Sequence, residues 1–196
     1  MAVVGVVTVV LFAGACGGKE EPLGPTATVP QATTTTDPYA VPPDIDEAYV
    51  NRVLAGLDQV MGDAVRSVVR TRLLDEEVYY RLMAVSSGDA FQLKLDSLQR
   101  DLLGGMTGYP ASPGNKVTRV TRLISIKISC IFAEVTKDFA ALNSTGETNL
   151  STEWVALVPL DPTRDTHSYN PTHWVFVYDG LRADESAPPD PCAAVP

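Results

Sequence analysis

Apolar positions between residues 45 and 68 recur with helical spacing. Ile45, Tyr49, Val53, Leu57, Val60, Ala64 and Val68 fall on one side, and Asn51, Arg52, Asp58, Gln59, Asp63 and Arg66 occupy the other. A 3.6-residue period held for this long predicts one amphipathic helix over roughly 45–71. Asp44, three residues ahead of Glu47, resembles a capping box at its start. Asp75, Glu76 and Glu77 favour a second N-terminus through the helix dipole, with the helix running from 75 to Ser86. Asp89, ahead of Ala90-Phe91-Gln92, is read as a third cap. Phe91, Leu95, Leu98 and Leu102 share one face of that helix, and Gly104-Gly105 terminates it. From Lys116 the period falls to two. Val120, Arg122, Ile124, Ile126, Ile128, Cys130 and Phe132 alternate with Thr121, Leu123, Ser125, Lys127, Ser129 and Ile131. The pattern predicts one long strand, and its length calls for a bend or bulge. Trp154, Ala156, Val158 and Leu160 mark a second strand; Trp174, Phe176 and Tyr178 mark a third. Turn formers in 143–149 and 161–171 link them. Consecutive strands on short links pair antiparallel. Helices first and strands after predict an α+β fold with the helices packed on one face of the sheet.

The N-terminal region follows another pattern. Residues 2–15, AVVGVVTVVLFAGA, carry no charge and end in small residues, as a secretory signal does. No apolar run reaches the roughly 18 residues of a spanning helix, which argues against a multi-pass membrane protein. The ending Leu-Phe-Ala-Gly-Ala-Cys resembles a bacterial lipobox through Ala13, Gly14, Ala15 and Cys16. That resemblance implies lipid on Cys16 and an anchor on the outer face of the cell membrane. Ala13 departs from the Leu that the pattern prefers. The positively charged stretch that opens such signals is missing, so basic residues are expected upstream of Met1. The alternative is an ordinary cleaved signal with a chance cysteine. Residues 19–43 carry six prolines and a Thr run. Such composition buries too little to fold and predicts an extended tether over 17–43, followed by a globular domain over 44–196.

Composition narrows the rest. Hydrophobic residues make up 45% of 196, enough for one core. Fifteen Lys plus Arg against 24 Asp plus Glu leave a net charge of −9, which excludes non-specific nucleic-acid binding, because neutralising phosphates needs clustered cations. With Cys16 committed to lipid, Cys130 and Cys192 remain. An even remainder in an oxidising compartment predicts one disulfide, worth about 3–4 kcal/mol in the chain-entropy model. A buried thiol at Cys130 with a loose Cys192 is the alternative. Two cysteines this far apart have no metal-ligand spacing.

A long first helix, further helices, then long bent antiparallel strands resemble the NTF2-like (cystatin-like) superfamily. The stretch Asn170-Pro171-Thr172-His173-Trp174-Val175-Phe176-Val177-Tyr178-Asp179-Gly180 is similar to the last strand of such domains, and the whole chain is similar to small lipoproteins of actinobacteria. Ten Arg against five Lys agree with a GC-rich genome. The resemblance covers about 45–182. It implies a sheet curled around the long helix into a cone, and a homodimer through the outer sheet face, where Ser125, Lys127 and Ser129 predict solvent exposure. One departure is that residues 105–115 read as loop where the family has a short hairpin. Members include both enzymes and binding proteins, so the fold alone does not choose between them.

Candidate chemistry is sparse. An isomerase-like member needs a cavity carboxylate and a hydrogen-bond donor, for which Asp138, Asp179, Tyr49, Tyr79 and Tyr80 are the candidates. The plainer alternatives are a strand-ending turn at Asp179-Gly180 and core or rim tyrosines. His167 and His173 share a polar loop with Asp161 and Asp165, but their irregular spacing does not read as a metal site. No cofactor motif is present. Tyr49, Trp154, Trp174, Phe176 and Tyr178 are either the filling of the cone or the lining of an apolar pocket, with filling the stronger expectation. The expected function is a lipid-anchored extracytoplasmic binding domain whose partner is an envelope protein or an apolar small molecule. The alternative is an isomerase- or cyclase-like enzyme using a cavity carboxylate.

Overall fold

α1 spans Glu47–Thr71 and presents a nearly continuous buried stripe from Tyr49 to Val69. It is one element of a computed structural model that describes residues 37–161, 163, 168–181 and 189–193. The expected signal peptide, Cys16, most of the tether, Asp165 and His167 lie outside these residues. Asp46, not Asp44, caps α1: its extended backbone lets the carboxylate accept from the Tyr49 N–H at 2.7 Å. α2 is Glu76–Val85, capped by Asp75 through the Val78 N–H. α3 is Gly88–Leu103. Its N-cap is Ser87, and Asp89 lies in the first turn, where it complements the dipole instead of capping.

The long strand expected from Lys116 onward is two strands. β1, Val117–Lys127, turns at Ile128-Ser129 into β2, Cys130–Asp138, with Lys127 opposite Cys130. The turn contains no Gly, Pro, Asn or Asp, so no local marker interrupts the alternation. The expected irregularity is present, as register shifts in β1 between Val120 and Arg122 and between Leu123 and Ser125. β3, Leu150–Pro159, and β4, Trp174–Leu181, complete an open antiparallel meander in the order β1-β2-β3-β4. Among the described residues the fold is α+β, with three α-helices and a four-stranded sheet. Residues 104–116 form turns and loop, as the sequence predicts.

Three apolar clusters hold the layers together. The largest joins Tyr49, Val53, Leu54 and Leu57 of α1 to Ile131, Ala133, Val135, Val155, Leu157, Trp174 and Phe176 on one sheet face. A second fills the space among the helices around Val65, Leu82 and Leu98. The third lies on the opposite sheet face, where Phe132 and Trp154 pack with Cys130 and Cys192. Cys130 and Cys192 lie at disulfide distance. Lys127 Nζ donates to the Cys192 carbonyl, and the polar outer row of Ser125, Lys127 and Ser129 is half-buried, not open to solvent.

The segment expected as tether touches the domain at Tyr39. Tyr39 packs against the main cluster, and its carbonyl accepts from Tyr49 Oη at 3.1 Å. The space comes from Gly56, where a Cβ would lie 3.0 Å from the Tyr39 hydroxyl and 2.4 Å from Thr172 Cγ2.

Candidate functional site

The rows of side chains on the helix-covered sheet face begin apolar and end ionic. On β2 the row Ile131, Ala133, Val135 continues to Lys137. On β3, Leu157 and Val155 lead to Glu153. On β4, Phe176 leads to Asp179, which is opposite Val155. The apolar ends meet α1. The ionic ends meet a cavity of about 520 Å³ bounded by α1, α3, the loop around Tyr109 and the segment after β2. Met61 and Val65 come from α1 and Leu93 and Leu98 from α3. Phe139 and Leu142 follow β2, and Lys94, Asp101, Lys116, Lys137, Glu153 and Asp179 supply the charge.

These charges are buried and paired. Lys137 Nζ binds Glu153 Oε2 at 2.5 Å and also Asp179 Oδ1, while Lys94 Nζ binds Asp179 Oδ2. Their side chains are 4–10% exposed. Lys116 Nζ lies 3.3 Å from Asp58 Oδ1. Asp58, expected on the polar side of α1, is buried; its carboxylate also accepts from the Thr118 N–H at 2.7 Å and from Thr118 Oγ1 at 3.0 Å. It thereby ties the helix to the start of β1. Lys94 and Lys116 both approach the Phe176 ring, at 4.7 and 5.6 Å from its centroid.

The ionisation of the cluster follows from this packing. Burial pulls the Lys94 ammonium down, outweighing its attraction to Asp179, and Lys116 and Lys137 pull the same way; the result is about 8. Burial acts on Lys137 likewise, but Asp179 and Glu153 together outweigh it and hold the ammonium above its ordinary value. Burial pushes the Asp179 carboxyl up, yet Lys94, Lys137 and Lys116 overcome it and hold the group well below the carboxylate range. At the rim, burial raises the Tyr109 phenol, and its hydrogen bond to Asp101 at 2.7 Å raises it further.

Of the candidates read from sequence, Asp179 is brought to the cavity. Asp138 accepts from the Ala140 N–H and forms a turn. Tyr49 is core: its hydroxyl accepts from Trp174 Nε1 at 2.8 Å. Tyr79 is partly exposed and tilts against Phe91; Tyr80 bonds Glu76 and stacks on Tyr169. His173 sits at φ 61° with Nε2 3.2 Å from Asp37, and Asp161 accepts from Thr163. Among the described residues no group of three or more His, Cys, Asp or Glu is arranged to hold a metal ion. The five aromatics do not line the cavity. Tyr49, Trp174 and Phe176 fill the apolar end, and Trp154 and Tyr178 belong to the opposite sheet face. The domain is thus filled at one end and open at the other.

The lysines and Glu153 were not anticipated. Lys137 and Glu153 left a trace, because each continues a buried alternation (Ile131, Ala133, Val135, Lys137; Leu157, Val155, Glu153) in which a charge is unexpected. Lys94 and Lys116 left none.

Among the described residues no helix is long and apolar enough to cross a membrane. Comparison with known proteins finds no family model, no curated protein and no solved structure that matches this chain.

Proposed function

We propose that this chain is an extracytoplasmic binding domain of NTF2-like form, held at the outer face of a cell membrane by lipid on Cys16, and that its cavity receives a small molecule. The observation that carries the proposal is the cavity itself. It has about 520 Å³ of space, within the range of small-molecule sites, and is walled by apolar and polar side chains with a cluster of buried charges at one end. The lipobox-like ending at Cys16, the Pro/Thr-rich segment after it and the Cys130–Cys192 pair support the exported, anchored setting. An envelope protein as partner has no comparable feature behind it. A homodimer through the outer sheet face would have to form around the segment at Cys192.

The alternative, an isomerase- or cyclase-like enzyme with a cavity carboxylate as base, has one favourable feature: Asp179 is buried beside open space. Against it, both oxygens of Asp179 are bound by ammonium groups. A carboxylate so stabilised is a poor proton acceptor.

The test is native mass spectrometry of the full chain, expressed in an oxidising host and released from membranes in mild detergent. Expected are a lipid modification on Cys16, a mass two units light for the disulfide, and a reproducible small-molecule adduct lost on denaturation. A chain without the modification refutes the anchor, and a chain consistently bare refutes the cavity ligand.

A further inference from the structure

We infer that the cavity is a receptor for a small amphiphilic carboxylate, its head seated on Lys94 and Lys116 and its apolar body against Met61, Val65 and Leu98. This rests on the cavity-binding proposal above and names its ligand class. The argument is a count of donors and acceptors. Both Asp179 oxygens are taken by Lys94 and Lys137. Glu153 receives Ser151 Oγ at 2.6 Å on one oxygen and Lys137 on the other. Asp58 receives Thr118 twice and faces Lys116. The oxygens of these three carboxylates are therefore all engaged.

The donors are not. An ammonium carries three N–H groups. Among the described residues, Lys94 and Lys116 each spend one on a carboxylate. Both ammonium groups lie near the Phe176 ring centroid, at 4.7 and 5.6 Å, and both residues border the cavity. Buried donors lacking acceptors are costly, and an oxyanion between them would satisfy both. An amine would meet the like charges of Lys94, Lys116 and Lys137, whose carboxylate partners are already engaged; Asp101, the further carboxylate of the lining, accepts from Tyr109. The remaining wall mixes polar groups such as Ser97, Asp101 and Asn149 with apolar side chains, and the apolar part at Met61, Val65 and Leu98 suits a hydrocarbon or aromatic body.

The groups facing Lys94 set the pH dependence. They are Asp179 on β4, Lys137 on β2 and Lys116 ahead of β1, with Glu153 and Asp58 behind them. Since the Lys94 ammonium is held at about 8, the receptor loses a charge as pH rises past that value, whereas a carboxylic acid stays ionised throughout.

The test is titration calorimetry of the full chain in lipid nanodiscs, with empty discs subtracted. The three probes share one body: 4-phenylbutanoate, 4-phenylbutanol and 4-phenylbutylamine. At pH 7 the acid should bind at least tenfold more tightly than the alcohol, and the amine more weakly than either. Lys116→Gln, which leaves Asp58 bonded to Thr118, should weaken the acid about tenfold and leave the alcohol unchanged. In the unaltered chain, affinity for the acid should fall between pH 7 and pH 9.5 while that for the alcohol stays level. Equal binding of acid and alcohol, preference for the amine, or a pH-independent affinity for the acid overturns the carboxylate receptor but leaves a binding cavity. Failure of all three probes to bind overturns the cavity-binding proposal as well.

Discussion

At the scale of single residues, Asp179 holds the ionic cluster together. Among the described residues it is the one anion that bonds both Lys94 and Lys137, and all three side chains are at most 10% exposed. Asp179→Asn leaves two buried ammonium groups short of a counter-charge, and removing one partner of a buried pair costs about 3–5 kcal/mol. Urea denaturation at pH 7 should show a loss of that size. The pH dependence has a definite sign on each side. Asp179 ionises more readily folded than unfolded, so its contribution is present above pH 3.8 and is lost as pH falls through the lower folded value. Lys94 behaves oppositely on the alkaline side. Its folded value of about 8 lies below 10.5, so the unfolded chain binds more protons between them and stability rises with pH. Lys137, held above 10.5, gives up its contribution only beyond that value. Denaturation midpoints should therefore rise from pH 8 to pH 9.5 in the unaltered chain relative to Lys94→Met. Parallel curves would contradict the buried, charged state of Lys94. In the apolar end, Tyr49→Phe deprives Trp174 Nε1 of its acceptor at 2.8 Å. The loss should be about 1–3 kcal/mol, the penalty for an unsatisfied buried donor.

At the scale of elements, close approach decides more than propensity. Gly56 lies inside α1, where Ala favours helix by about 1 kcal/mol. A Cβ there would fall 2.4 Å from Thr172 Cγ2. Thr172 cannot give way, because it is fully buried and bonded to Asn170, whose amide also reaches the carbonyls of Ala84 and Trp174. Gly56→Ala should therefore destabilise the fold by about 1–3 kcal/mol, measurable as a lower thermal midpoint despite the better helix former. The same Asn170 network and the bond from the Ser87 N–H to the Phe176 carbonyl at 2.9 Å fix the α2–α3 junction to β4. That junction starts α3, and α3 carries Lys94 to Asp179. The cavity thus depends on how a helix terminus is fastened to a strand.

At the scale of the whole molecule, the two sheet faces have separate roles. One meets the helices and ends in the charged cavity. The other is closed by the segment around Cys192, held through Cys130 across a separation of 62 residues. Constraining a loop of that size in the unfolded chain is worth about 4 kcal/mol. The Cys130→Ser, Cys192→Ser double variant should lose a similar amount in urea denaturation. It should retain the ligand selectivity of the cavity, because no cavity-lining residue belongs to the cluster on the outer face. Loss of selectivity at full folding would show that the two faces are coupled.

How far the chain was legible follows from the range of the forces involved. Helical periodicity located α1 to within two residues of its start, since the buried stripe from Tyr49 to Val68 is written at local spacing. The α+β order, the bulged β1 and the pairing of Cys130 with Cys192 were likewise readable from local alternation and a count. The hairpin at Ile128-Ser129 was not, because antiparallel pairing of β1 with β2, rather than any turn residue, makes the chain reverse there. Nor were the aromatics readable as core or wall: Trp154 and Trp174 have the same strand character, and only the sheet's two faces separate them. The ionic cluster lay furthest from view. Asp58, Lys94, Lys116, Lys137, Glu153 and Asp179 come from two helices, a loop and three strands. No spacing joins them; Asp179 was a candidate, Lys137 and Glu153 stand out only as charges in a buried alternation, and Asp58, Lys94 and Lys116 read as solvated charges. By itself the sequence determined the helices, the strand-forming regions and most of their amphipathic faces, because those depend on neighbours along the chain. Tertiary structure decided which charges were withdrawn from water and paired, because that depends on neighbours across it.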